Sequence, residues 1–155
     1  MLKDLVFSSA RPEDVRDLTV LLGLLFAQET DFTPDPAKQK RALKDILAQP
    51  SAGRIFVARS NGRVVAMVNL LFHTSTAEGG SVILLEDLIV HPSCRKRGIG
   101  SRLLNHVLDF ARRKHFRRIT LLTDRRNRSA IRFYKRFGFT SSAMLPMRRK
   151  IGSWR

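Results

Sequence analysis

The sequence predicts a mixed α+β fold: one mostly antiparallel sheet of about six to seven strands flanked by about four helices, in the order β-α-α-β-β-β-α-β-α-β-β. Three observations carry that prediction. Two helical stretches precede a two-strand hairpin; a long apolar strand runs into a basic glycine turn and a third helix; a further strand and a short helix follow.

Asp4 to Ser8 is the first strand candidate. Arg11-Pro12-Glu13-Asp14 then reads as a helix start, because proline suits the first helical position and acids in the first turn complement the helix dipole. Val15, Leu18, Leu21, Leu22, Leu25 and Phe26 keep helical spacing, and the pattern fades near Glu29. Thr30 to Pro36 is a loop, with Asp35 before Pro36 a plausible N-cap. A second helix spans Pro36 to Ala48, with Leu43, Ile46 and Leu47 as its apolar stripe.

Arg54 to Ser60 and Arg63 to Phe72 form the hairpin, since Asn61-Gly62 between them suits the positive φ angles of a two-residue turn. The central strand runs from Val82 to Val90, interrupted only by Glu86 and Asp87, and stops at His91-Pro92. From Ile99 the apolar positions Leu103, Leu104, Val107, Leu108 and Ala111 define an amphipathic helix; His106 falls on its solvent side. Arg118 to Thr123 is the next strand, parallel to the central one. Asn127 to Phe137 is a short helix ended by Gly138. Phe139–Thr140 and Met144–Ile151 are candidate closing strands, and Gly152 to Arg155 is a tail.

Composition narrows the class. The 155 residues, 43% hydrophobic, suffice for a single domain over 1–155 with its own core. No apolar run approaches the ~20 residues of a membrane span, and the first ten residues lack the apolar core of a secretory signal. One cysteine, Cys94, points to a reducing, cytoplasmic setting. The four histidines lack metal-ligand spacing, so no metal is expected.

Charge is divided along the chain: residues 1–90 carry ten Lys/Arg and eleven Asp/Glu, residues 91–155 nineteen and two. The basic half begins at Arg95-Lys96-Arg97-Gly98-Ile99-Gly100, where a helix starts with unpaired N–H groups and a favourable dipole. Such a helix start suits a phosphate-bearing ligand.

That segment resembles the Arg/Gln-x-x-Gly-x-Gly/Ala turn of the GNAT superfamily of acyl-CoA-dependent N-acyltransferases. Residues 127–139, from Asn127 through Ala130, Phe133 and Tyr134 to Gly138-Phe139, are similar to the family's later Asn-x-x-Ala-x-x-Phe-Tyr…Gly-Phe signature. The resemblance covers nearly the whole chain. It implies a GNAT-like sheet, acetyl-CoA as the acyl donor, and direct transfer to a primary amine.

In those terms the N–H groups of Arg97, Gly98, Ile99, Gly100 and Ser101 receive the pyrophosphate while Arg95, Lys96 and Arg102 supplement the field, Leu88, Ile89 and Val90 pair with the pantetheine arm, and the strand near Leu88 supplies an oxyanion donor. Asn127 contacts the coenzyme arm or caps its helix. Glu86 breaks an apolar strand; alternation sets it on the face of Leu88 and Val90, and it matches the family's base, acting directly or through water. The other reading of Glu86 is a rim carboxylate paired to an arginine. Asp87, on the opposite face, reads as structural or substrate-orienting. Tyr134 matches the family tyrosine beside the sulfur; its other reading is packing with Phe133 and Phe137. Cys94 reads as a bystander.

For the acceptor, the resemblance implies entry between the first two helices and the far edge of the central strand, which brings Glu29, Asp31, Asp35, Glu86 and Glu78 to the less basic side and predicts a cationic amine: a polyamine, diamine, amino acid derivative or aminoglycoside. Protein lysines or N-termini are the alternative acceptors. Two competing classes stand beside this reading. One is a nucleic-acid-binding module using the basic half, disfavoured because Phe133, Tyr134 and Phe137 sit on an apolar helix face. The other is a fold that binds acyl-CoA without turnover. A homodimer through the C-terminal strands is also compatible with the pattern.

Overall fold

The computed structural model describes residues 4–152 and divides the chain into two compact units, Met1–Leu122 and Thr123–Arg155. The first holds a five-stranded sheet in the order β1-β2-β3-β4-β5. Its strands are β1 (Val6–Ser9), β2 (Gly53–Ser60), β3 (Arg63–Ser75), β4 (Gly80–Val90) and β5 (Ile119–Leu121); its helices are α1 (Val15–Phe26), α2 (Pro36–Ala48) and α3 (Ile99–Arg113). The first four strands pair antiparallel in sequence order, and β5 pairs parallel to β4 through the α3 crossover.

The hairpin turn is as expected, with Asn61 at φ 49° and Gly62 at φ 78°. Helix α2 begins at Pro36, and the Asp35 carboxylate accepts the N–H groups of Ala37 and Lys38, both at 3.2 Å. Ahead of α1, Asp14 accepts the N–H of Arg11 at 2.7 Å and also binds both terminal nitrogens of Arg59 on β2, at 2.7 and 2.5 Å. That largely buried pair ties the entry of α1 to the sheet.

The sheet is covered on both faces because its strands alternate apolar residues to both sides. On one face Leu18, Leu21, Leu22 and Leu43 of α1 and α2 pack against Ile55, Val57, Met67 and Ile89. On the other, Phe56 meets Phe110 of α3 at 5.1 Å between centroids, and Phe72 meets Phe110 and Phe116 at 6.0 and 4.8 Å. His106 belongs to this second face rather than to solvent: it packs edge-on to Phe56 at 4.7 Å, and burial lowers its pKa. Its place three residues after Leu103 and four before Phe110 puts it on the flank of the apolar stripe.

The second unit contains α4 (Arg128–Lys135). Asn127 caps it by accepting the N–H of Ala130 at 3.1 Å, and Gly138 stands just beyond its end at φ 85°. Phe133 packs with Phe137 and with Tyr134, both at 5.2 Å, and Tyr134 packs with Phe139 at 5.6 Å.

The sheet of the described residues has five strands rather than six or seven. Neither Phe139–Thr140 nor Met144–Ile151 is a strand. Met144 and Met147 are 87% and 89% exposed; Pro146 between them removes a ladder donor, and Arg148, Arg149 and Lys150 follow. Of the predicted tail, only Gly152 lies within the described residues.

Candidate active site

The residues singled out by sequence fall along β4 and its exit. β4 is irregular in its middle: Leu70 of β3 pairs with Leu85 and the preceding Asn69 with Asp87, so Glu86 has no opposite residue. This is a β-bulge. Val68 and Leu70 are two residues apart and share a face, yet their partners Leu88 and Leu85 are three apart. Strict alternation therefore does not pass through Glu86, and the predicted sharing of a face with Leu88 and Val90 does not follow from it. The extra residue is the physical reason.

Glu86 itself is exposed. Asp87 is 9% exposed and Asn69 4%. Both continue the line of Ile89 and Met67 on the face covered by α1 and α2. Asn69 donates from Nδ2 to Oδ2 of Asp87 at 3.2 Å, while its own Oδ1 is buried with no hydrogen-bond partner among the described residues. Burial pushes the Asp87 carboxyl up to about 6; the Asn69 donor acts against that, and the negative charges of Glu86 and Glu29 add to it. Glu29, just past α1, thus belongs electrostatically to the same cluster. Asp31 is exposed in the loop that follows. Glu78, by contrast, pairs with Arg118 at 3.1 Å.

At its far end β4 leads through a short turn, Pro92–Cys94, into the basic segment. Arg95 is anchored, donating from Nε to the carbonyl of Val90 at 3.1 Å. Lys96 and Gly98 both take left-handed backbone, at φ 60° and 74°, so the chain turns sharply ahead of α3. Gly98 is the N-cap of α3, and no side chain caps that end. The first-turn N–H groups from Ile99 onward lack intrahelical partners, the requirement for holding an anion. Open space lies where a Gly98 side chain would be, so its backbone conformation, not crowding, calls for glycine. Arg95, Lys96 and Arg97 are exposed, whereas the Arg102 guanidinium lies over the Phe7 ring at 5.0 Å.

Asn127 and Tyr134 belong to the second unit, where one caps α4 and the other packs among its aromatics. A cleft of about 280 Å³ between α2 and the β1–β2 edge, lined by Ser9, Ile46, Leu47 and Arg54 among others, includes none of the predicted residues. Among the described residues no group of His, Cys, Asp and Glu is arranged to hold a metal, and no helix is long and apolar enough to cross a membrane.

In the sequence Asp87 reads only as structural or substrate-orienting, and Asn69 carries no signal. The one available signal was a pair of adjacent carboxylates inside an apolar strand. Its meaning depends on a bulge that composition cannot reveal.

The strand, basic turn and helix start stand in the order that the resemblance to acyl-CoA-dependent N-acyltransferases implies. The chain belongs to the acetyltransferase (GNAT) family, whose model matches residues 22–139. It is 35% identical over 128 residues to an uncharacterised N-acetyltransferase of Methanocaldococcus jannaschii, covering 79% of this chain and 56% of that one. The chain thus spans just over half the length of that relative. It is 30% identical over 152 residues to the streptothricin acetyltransferase of Streptomyces lavendulae, covering 86% and 80%. The fold is shared with a possible acetyltransferase from Clostridium difficile 630, with a TM-score of 0.87 at 16% identity over 96% of this chain and 99% of that one.

Proposed function

We propose that the chain, acting as one catalytic domain over residues 1–155, transfers the acetyl group of acetyl-CoA directly to a primary amine, and that the amine is a cationic small molecule. The observation that carries this reading is the division of charge along β4: Glu86 and the buried Asp87 at the bulge, with Glu29 close enough to act on Asp87, and Arg95, Lys96 and Arg97 just beyond the strand's end. A protonated amine is drawn to the first group and a polyphosphate to the second. The relative named as a streptothricin acetyltransferase supports a small-molecule acceptor.

In this mechanism the N–H groups of residues 97–101 hold the pyrophosphate, with Arg95, Lys96 and Arg97 adding positive potential. Leu88, Ile89 and Val90 receive the pantetheine arm by backbone pairing, and a main-chain N–H near Leu88 steadies the oxyanion. An alkyl ammonium has a pKa of about 10 and cannot attack until it is deprotonated. Glu86 draws off that proton, directly or through a water, while Glu29 and Asp31 hold the cation. Tyr134 gives the departing thiolate its proton, and Asn127 contacts the coenzyme arm while capping α4. The setting is cytoplasmic.

The test is thiol release from acetyl-CoA over a panel of diamines, polyamines, amino acid derivatives, aminoglycosides and lysine peptides. Turnover confined to small cationic amines supports the proposal; turnover confined to peptides moves it to protein acetylation. Thermal stabilisation by acetyl-CoA without release for any amine removes catalysis. Stabilisation by oligonucleotide alone, lost as salt rises, replaces it with nucleic-acid binding.

A further inference from the structure

The geometry points to Asp87 as the group on which the acceptor amine's proton comes to rest during transfer, with Asn69 as its positioning residue and Glu86 as the second member of one proton-holding pair. This rests on the reading of the chain as an amine acetyltransferase.

Three independent features converge. The bulge leaves Glu86 unopposed beside Asp87, so two consecutive carboxylates are not separated by regular alternation. Asp87 is buried and, among the described residues, its side chain has one hydrogen-bond donor, Nδ2 of Asn69 at 3.2 Å on Oδ2, which leaves Oδ1 for a proton. The third feature is the orphaned Oδ1 of Asn69. An amide can turn over: it donates to Oδ2 of Asp87 when the carboxylate is charged, and its oxygen accepts once the protonated carboxyl has rotated to bring its proton round. One buried asparagine can therefore serve both states of the pair.

The charge environment agrees. Glu86 on its own strand and Glu29 beyond α1 are the charged groups that act on Asp87; β3 contributes the neutral Asn69. β5 is Ile119-Thr120-Leu121, without a charge, and α3 covers the opposite face. The carboxyl is raised to about 6, so it is mostly a base at neutral pH yet holds a proton far better than an ordinary aspartate.

In the step itself the amine nitrogen loses a proton to the Glu86–Asp87 pair, where it settles on Oδ1 of Asp87. The freed lone pair forms the C–N bond at the thioester carbonyl. The C–S bond then breaks with its electron pair on sulfur, and the second proton that the nitrogen sheds as the amide forms balances the one that the departing thiolate takes up. The pair returns its proton to solvent.

The experiment is a pH profile of kcat and kcat/KM for an amine that the wild type acetylates, with a ¹³C carboxyl titration of the same proteins. For the wild type, an acid limb near 6 and one carboxyl resonance titrating with it are expected. Asp87→Asn removes that resonance and lowers kcat about 100-fold, with KM changed far less. Asn69→Ala moves the limb upward, because the donor that favours the charged form is gone, and Glu86→Gln moves it downward, because a repelling charge is gone. Retention of the limb and of kcat in Asp87→Asn overturns the proposal, as does the absence of any carboxyl titrating near 6. A carboxyl that titrates as expected with no thiol release for any amine overturns the functional reading and with it the catalytic role. It then leaves Asp87 as a titrating structural pair.

Discussion

Asp14 and Asp87 are buried to nearly the same degree, 7% and 9% exposed, and their acidities move in opposite directions. The side-chain bonds from Arg59 hold the Asp14 carboxyl below the usual range against the cost of burial. Asp87 has only an amide for a partner and acidic neighbours besides, and burial raises it to about 6. Burial alone does not decide what a buried acid does. The partner decides: a guanidinium fixes the charge and makes a strut, whereas an amide leaves the charge negotiable and makes a group able to exchange protons.

The strongest test of this contrast is Asp14→Ala. It leaves Arg59, mostly shielded from solvent, without its counter-charge and should cost about 3–5 kcal/mol in denaturant unfolding. A cost below about 1 kcal/mol would put the pair among ordinary surface bridges and dissolve the comparison.

Asp87→Asn should do the reverse. The native carboxyl holds its proton more tightly than the unfolded one, so its contribution to stability is full below the unfolded pKa of 3.8 and is lost as pH rises through about 6. Wild-type stability should therefore decline from this group between about pH 4 and 7, by up to about 3 kcal/mol, and the variant should lack that decline. A variant that is more stable yet slower at neutral pH is the expected signature of a group kept for chemistry. Parallel curves for the two proteins would place Asp87 with Asp14.

Gly98→Ala approaches the contrast from outside, since it touches neither aspartate. Forcing a side chain to a φ of 74° should cost about 1–2 kcal/mol and raise the KM for acetyl-CoA without shifting the acid limb. The smallest effect belongs to Asp35→Asn. Asparagine caps a helix as well as aspartate does, so the KM for cationic amines should stay unchanged if Asp35 serves α2 rather than substrate.

Local signals made most of the fold legible. Asn61-Gly62, Pro36 and the glycine turn each specify their own backbone, and the spacing from Ile99 to Ala111 names the buried face of α3. Long-range features were hidden. Arg59 meets Asp14 across 45 positions, and nothing near either announces the other. The bulge was invisible for a different reason. With Leu84-Leu85 before it and Leu88-Ile89-Val90 after it, the strand is apolar on both faces, so inserting one residue leaves no break in the pattern. The closing strands failed because β-propensity describes a fit to a neighbour, and around Met144 to Ile151 no neighbouring strand is found among the described residues. At the site, the basic turn could be read directly, whereas the working difference between Glu86 and Asp87 could not.

The division of the chain has an optical consequence. All of residues 1–122, the whole sheet included, lack tryptophan and tyrosine; the chain's one tyrosine is Tyr134 and its one tryptophan Trp154. Both residues therefore lie within 123–155, while the sheet carries neither and is visible chiefly through its amide bands. An unfolding curve followed by emission and one followed by far-ultraviolet dichroism watch different parts of the chain, and their coincidence or separation measures whether the two melt as one.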